Sequence, residues 1–176
     1  FIENTESSFI ENTESSFIEN TESQKLPKKI TFIKTIGELG TEPGQFNKPY
    51  GIDFFNEKLY VMDTNNNRIQ IFSKNLDLLS VIPIDTRDSQ GIAITDNLFF
   101  VTATPYLVQS FNHTGHFLNQ FSVTWTRDLV ANENFVYVIE ALSKSIRVYD
   151  HNGNLIDSFE GIINLHFLNS NDKYLV

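Results

Sequence analysis

The feature that most limits what this chain can fold into is a unit of about forty residues that recurs three times. Residues 49–84 read PYGIDFFNEKLYVMDTNNNRIQIFSKNLDLLSVIPI, and 89–123 read SQGIAITDNLFFVTATPYLVQSFNHTGHFLNQFSV. The third copy, 127–162, reads RDLVANENFVYVIEALSKSIRVYDHNGNLIDSFEGI. Ile52 aligns with Ile92 and Val130, Tyr60 with Phe100 and Tyr137, and Phe72 with Phe111 and Tyr149, at spacings of 37 to 40 residues. A fourth copy begins at NLHFLNSNDKYLV, residues 164–176.

Each copy holds four short apolar runs separated by Asn, Asp, Gly, Lys and Ser, the pattern of strands joined by tight turns. In the first copy the strands are expected at 50–55, 58–63, 68–73 and 78–84. The triplets HTG (113–115) and HNG (151–153) put glycine where a hairpin needs positive φ. Four antiparallel strands repeated at this period predict an all-β fold, a β-propeller of four-stranded antiparallel blades. Residues 30–36, ITFIKTI, are expected to add the outer strand of a preceding blade. The total is about fifteen strands against about 24 for six blades. The expectation is therefore three complete blades and parts of two others, a fragment or an open arc, with unpaired edges that favour self-association.

The stretch DTNNNRIQIF (63–72) fits this scheme as the turn between a blade's second and third strands. Asp63 is expected to accept backbone N–H bonds there, the asparagines to tolerate left-handed dihedrals, and Arg68 to open the third strand beside the acid. Residues 40–72, GTEPGQFNKPYGIDFFNEKLYVMDTNNNRIQIF, resemble an NHL repeat, whose pattern runs from GQF-x-x-P-x-GI through a YV-x-D strand to NNRIQ-F. The later copies keep the apolar skeleton but read TATPYLVQSF and EALSKSIRVY at the signature, the last keeping the Arg. The resemblance implies a propeller, in that family typically of about five or six blades.

Residues 1–24 are three copies of an octapeptide, FIENTESS, the third ending in Gln. Two apolar residues in eight bury too little surface to offset the entropy of ordering, so this tail reads as a disordered spacer. A sharper reading makes it three FIE hooks for one partner. KLPKK (25–29) is the linker, and 30–176 the propeller portion. The tail holds six glutamates and no Lys or Arg, so it accounts for six of the nine excess negative charges and leaves −3 on residues 25–176.

That balance provides no basic footprint, and nucleic acid is not an expected partner. Some NHL proteins of the tripartite-motif type recognise RNA, a use that needs a basic face. With no cysteine, disulfides and thiolate chemistry are excluded. No apolar run approaches membrane-spanning length. The chain opens on Phe, so the natural start and any leader are expected upstream. Asn112-His113-Thr114 is a glycosylation sequon on an exposed hairpin, usable if the chain is secreted; an extracytoplasmic or cell-surface setting is slightly favoured.

No catalytic constellation emerges. Asp53, Asp63, Asp88, Asp128, Glu133 and Glu140 lie near strand ends without pairing, and no G-x-S-x-G or calcium loop is present. His113, His151 and His116 read as solvated residues on outer turns, and His166 as the one histidine near the axis. No cofactor or metal is expected. The informative positions lie in the loops that feed each blade's first strand: Lys48 and Tyr50, Arg87 and Gln90, Trp125 and Arg127, with His166 in the fourth copy. Arg, Tyr and Trp are the types enriched at binding hot spots, although the Thr-Arg-Asp triplets 86–88 and 126–128 also suit plain surface ion pairs. The expected function is a non-catalytic binding module that presents this face to a protein, peptide or sugar. The alternative is part of a propeller enzyme, a metal-dependent lyase or lactonase, with Asp128 and His166 as contributors and most of the site elsewhere.

Overall fold

The computed structural model describes residue 32 and residues 34–86, 88–104 and 106–161. The sheets lie in the unit that begins at Thr35. Twelve strands form three sheets of four. The first holds β1 (Pro49–Phe55), β2 (Lys58–Asp63), β3 (Arg68–Ser73) and β4 (Leu78–Pro83). The second holds β5 (Ile92–Ile94), β6 (Leu98–Ala103), β7 (Leu107–Asn112) and β8 (Phe117–Ser122). The third holds β9 (Thr126–Ala131), β10 (Phe135–Glu140), β11 (Ser145–Asp150) and β12 (Leu155–Phe159). Every ladder is antiparallel, runs between consecutive strands, and stays within its own sheet. The first-copy strands fall within one residue of their expected bounds.

The sheets pack through alternation. In the middle sheet Ile92, Ile94, Phe99, Val101 and Phe111 join Tyr60, Met62, Ile69 and Ile71 of the first sheet in one buried cluster. Ala93, Phe100 and Val108 join Leu129, Val136, Val138 and Tyr149 of the third sheet in another. Neighbours in sequence therefore serve opposite faces, because successive side chains of a strand point to opposite sides. This explains the unbroken apolar run LFFV in β6: a sheet covered on both faces has no polar stripe. Each fully buried Phe contributes about 1.5–3 kcal/mol of transfer free energy.

The turns between third and fourth strands repeat one design. Ser73 Oγ accepts the N–H groups of Asn75 and Asp77, Asn112 Oδ1 those of Thr114 and His116, and Asp150 Oδ1 those of Asn152 and Asn154. The side chain and backbone of Asn154 hold the exposed Asp150 carboxyl below its usual range. Gly115 and Gly153 both have φ of +86°, as the triplets required. A Cβ at Gly115 would stand 2.4 Å from Ile82 Cγ2 of the preceding sheet, so the turn needs glycine for space as well. In the first sheet Leu76 occupies this place at φ +66°.

One expectation changes. Thr35 and Ile36, assigned to an outer strand over 30–36, are in no strand. The chain turns at Gly37 (φ +77°) into a loop held by the first sheet's side chains, described below, so its backbone bonds are made there. The fourth copy at 164–176, the octapeptides and the 25–29 linker lie outside the described residues.

Candidate functional site

In an up-and-down sheet the loop feeding the first strand and the turn joining the second to the third lie at the same end. At that end each sheet ties its feeder loop to an acceptor at or beside the last residue of its second strand. In the first sheet this is Asp63, whose side chain is fully buried. Its Oδ1 accepts the N–H of Asn47 at 2.7 Å, and its Oδ2 accepts from Arg68 Nε and Asn66 Nδ2 at 2.8 Å and from Gln70 Nε2 at 3.2 Å. Arg68 also donates to the carbonyls of Thr41, Glu42 and Gln45 at 2.6–2.8 Å, while Gln70 bonds the carbonyl of Gln45 and the N–H of Gly44. The two halves of the 40–72 signature, GTEPGQF and DTNNNRIQ, thus form one network. Asn67 takes the expected left-handed conformation, at φ 48° and ψ 50°. Asp63, however, bonds the feeder loop in place of backbone groups of its own turn.

The third sheet builds the same device from other residues. Glu140, fully buried, accepts the N–H of Thr124 at 3.0 Å and pairs with Arg147 at 2.9 Å. It also accepts from the hydroxyls of Ser143 and Tyr149. Burial first, then the Glu140 carboxylate, pushes the Tyr149 phenol above its usual value, so it remains a donor. Arg147 does not stand where Arg68 does. Asp63 pairs in register with Arg68 but Glu140 pairs with Ser145, which places Arg147 at the position of Gln70. The Arg of the third copy is kept in type and moved by two residues. In the middle sheet Thr102 does this work, its hydroxyl accepting the N–H groups of Gln90 and Gly91 at 3.0 and 2.9 Å.

The Thr102 and Glu140 anchors flank a groove of about 280 Å³ between the second and third sheets, lined by Asp88, Gln90, Thr104, Tyr106, Trp125 and Thr126, among others. Gln90 and Trp125 both line it. Lys48 and Tyr50 are exposed but do not line the groove. Arg127 lies in β9, and Arg87 and His166 fall outside the described residues. The two Thr-Arg-Asp triplets diverge: Asp88 lines the groove, whereas Asp128 lines a different pocket. Sequence reading missed Tyr106, in the β6–β7 turn. The same-end rule for alternate connections would have placed it beside Gln90, and its carbonyl accepts the N–H of Val123, just before Trp125.

The other pocket, about 420 Å³, lies along β1, β5 and β9 and includes Asp53, Asp96, Asp128 and Glu133. Among the described residues no group of three or more His, Cys, Asp or Glu side chains is placed to hold a metal ion. Asp53 Oδ2 accepts the N–H of Ile94 at 2.7 Å, which joins the first sheet to the second. Burial raises the Asp53 carboxyl above its usual 3.8, and the N–H bonds from Ile94 and Phe54 only partly oppose this. A raised folded pKa contributes stability below the unfolded value that is lost as pH rises through the folded one. Asp53→Asn, which keeps an acceptor and the shape, is expected to remove that loss. Urea unfolding from about pH 3 to pH 6 should show the wild type gaining less stability than the variant as pH rises.

The histidines are more engaged than solvated turn residues would be. His113 Nε2 lies 3.0 Å from the carbonyl of Thr95, and His151 Nε2 lies 3.0 Å from that of Asn132. Each ties the turn after the third strand to the turn after the first, the link that Lys74 makes to Glu57 in the first sheet. Asn112 of the sequon caps its turn through Oδ1.

No helix among the described residues is long and apolar enough to cross a membrane. No family model matches the sequence. Protein brain tumor of Drosophila melanogaster is 29% identical over 147 residues, which cover 75% of this chain and 14% of that protein. Among solved structures, BamB from Moraxella catarrhalis superposes with a TM-score of 0.55 at 16% identity, covering 70% of this chain and 38% of that one. A catalytically inactive virginiamycin B lyase from Staphylococcus aureus, solved with quinupristin, gives 0.54 at 15% identity, covering 68% and 44%. Both are propeller folds. The order of the strands, the face-to-face packing of the sheets and these likenesses together identify the chain as built of β-propeller blades.

Proposed function

We propose that the chain is an NHL-type propeller module that binds without catalysing, and that it docks a protein or peptide on the face carrying Gln90 and Trp125. The NHL assignment draws on the joined network of residues 40–72 and on the similarity to Protein brain tumor, an NHL-repeat protein. The docking assignment is carried by one observation: Tyr106 and Trp125, both more than half exposed, flank one groove whose backbone is fixed from beneath. Exposed aromatics on a rigid frame supply contact area at low entropic cost, which is what hot spots require. Thr102 and Glu140 hold that frame, accepting the N–H groups of Gln90, Gly91 and Thr124.

Trp125 is the only tryptophan in the sequence, so its fluorescence reports on the groove directly. Peptides selected from a random displayed library on the full chain should shift or quench that emission. They should lose about tenfold or more in affinity on the variant carrying both Tyr106→Ala and Trp125→Ala, measured by calorimetry. Unchanged circular dichroism would show the variant folded. Selected peptides that bind the double variant as well as the wild type would place the docking surface elsewhere.

A further inference from the structure

The docking reading leaves the chemistry of the partner open, and the groove narrows it. Tyr106 is 54% and Trp125 52% exposed, and both line the same cavity as the Asp88 carboxylate. Aromatic faces carry negative quadrupole charge and attract cations, most strongly for Trp, and a carboxylate adds a full opposite charge. Tyr106 and Asp88 share a second feature: both hold left-handed backbone, at φ 62° and 48°. Tyr106 adopts that conformation at a cost, whereas Asp tolerates it. The polar remainder of the wall is threonine and Gln90, and the Thr102 hydroxyl is already occupied by two N–H groups. An anion would meet a carboxylate and two π faces; a neutral aliphatic group would leave Asp88 unused.

Resting on the docking reading, we propose that this groove takes the alkylammonium head of a lysine side chain, free or methylated, presented by the partner peptide. Trp125 and Tyr106 would flank the head, and Asp88 would supply the counter-charge.

The test uses the full chain and three acetylated, amidated tripeptides that differ at the central residue: lysine, trimethyllysine, and the neutral tert-butyl isostere of trimethyllysine. Titration is followed by Trp125 emission. Both cationic peptides should give saturable changes, with the neutral isostere about tenfold weaker. Asp88→Asn, which tolerates the same backbone, should weaken the cationic peptides severalfold and leave the isostere nearly unaffected, whereas Tyr106→Ala should weaken all three and the cationic peptides most. Equal binding of isostere and trimethyllysine would overturn cation recognition while leaving the docking face intact. Silence of Trp125 toward all three peptides would overturn it as well, and the library-selected peptides would then judge the docking face independently. Competition of an unlabelled cationic peptide with a selected peptide would support both.

Discussion

Asp63→Ala is expected to lower the unfolding free energy by about 3–5 kcal/mol. The side chain is fully buried, and Arg68, its partner at 2.8 Å, is only 10% exposed. Truncation removes the acceptor for four donors at once and leaves a guanidinium charge with carbonyls alone. Breaking one side of a buried pair costs far more than the pair contributes net, because the remaining charge keeps its desolvation penalty. The loss should appear in urea unfolding as a lower midpoint at unchanged slope. Glu140→Ala is the internal comparison. Its Arg147 is 34% exposed and can turn to solvent, so the loss should be smaller. A loss at Asp63 below about 1 kcal/mol would mean that the network behaves as a surface pair and does not hold the feeder loop.

Phe100→Ala should cost about 3–5 kcal/mol by a different route. Phe100 is fully buried in the cluster between the second and third sheets, and its ring centroid lies 5.0 Å from that of His151. Removing it opens a cavity in a face that two sheets build jointly. Neither sheet can close the gap without disturbing its own ladder, so the transfer loss is joined by a cavity cost. Phe117→Ala is the control, since that ring is 45% exposed in an outer strand, and about 1 kcal/mol or less is expected. A cost at Phe100 no larger than at Phe117 would show that the sheets do not rest on one another through this cluster.

The strands were legible because two periods are superimposed in the residues. Short apolar runs bounded by turn residues mark each strand, and the return of Ile52, Tyr60 and Phe72 some forty residues on marks each blade. The bonds of polar side chains were not legible in the same way. Asp63 was assigned to its own turn, yet its shortest bond reaches Asn47, sixteen residues back, a partner that only the folded sheet brings near. Alignment by residue type paired Arg147 with Arg68, whereas ladder register pairs it with Gln70. His113 and His151 were read as loose because a turn sequence does not show which neighbouring turn it will touch. At the candidate site Gln90 and Trp125 followed from the rule that feeder loops share one face. Tyr106 was lost because TATPYL was read only as a degraded signature, when a connection at the same end of the sheet is itself a place for a contact residue.

That every ladder stays inside its own sheet bears on how the protein comes apart and reassembles. The widest strand pairings, such as Lys58 with Ser73 and Leu107 with Ser122, join residues only fifteen positions apart. Chain closure over so short a contour costs little entropy, so hairpins can form early and independently in each unit. Seating one sheet against the next is the later, distant event. Under mechanical pulling, such a molecule would shed its sheets one after another, in extension steps near forty residues each, as one-dimensional repeat arrays do.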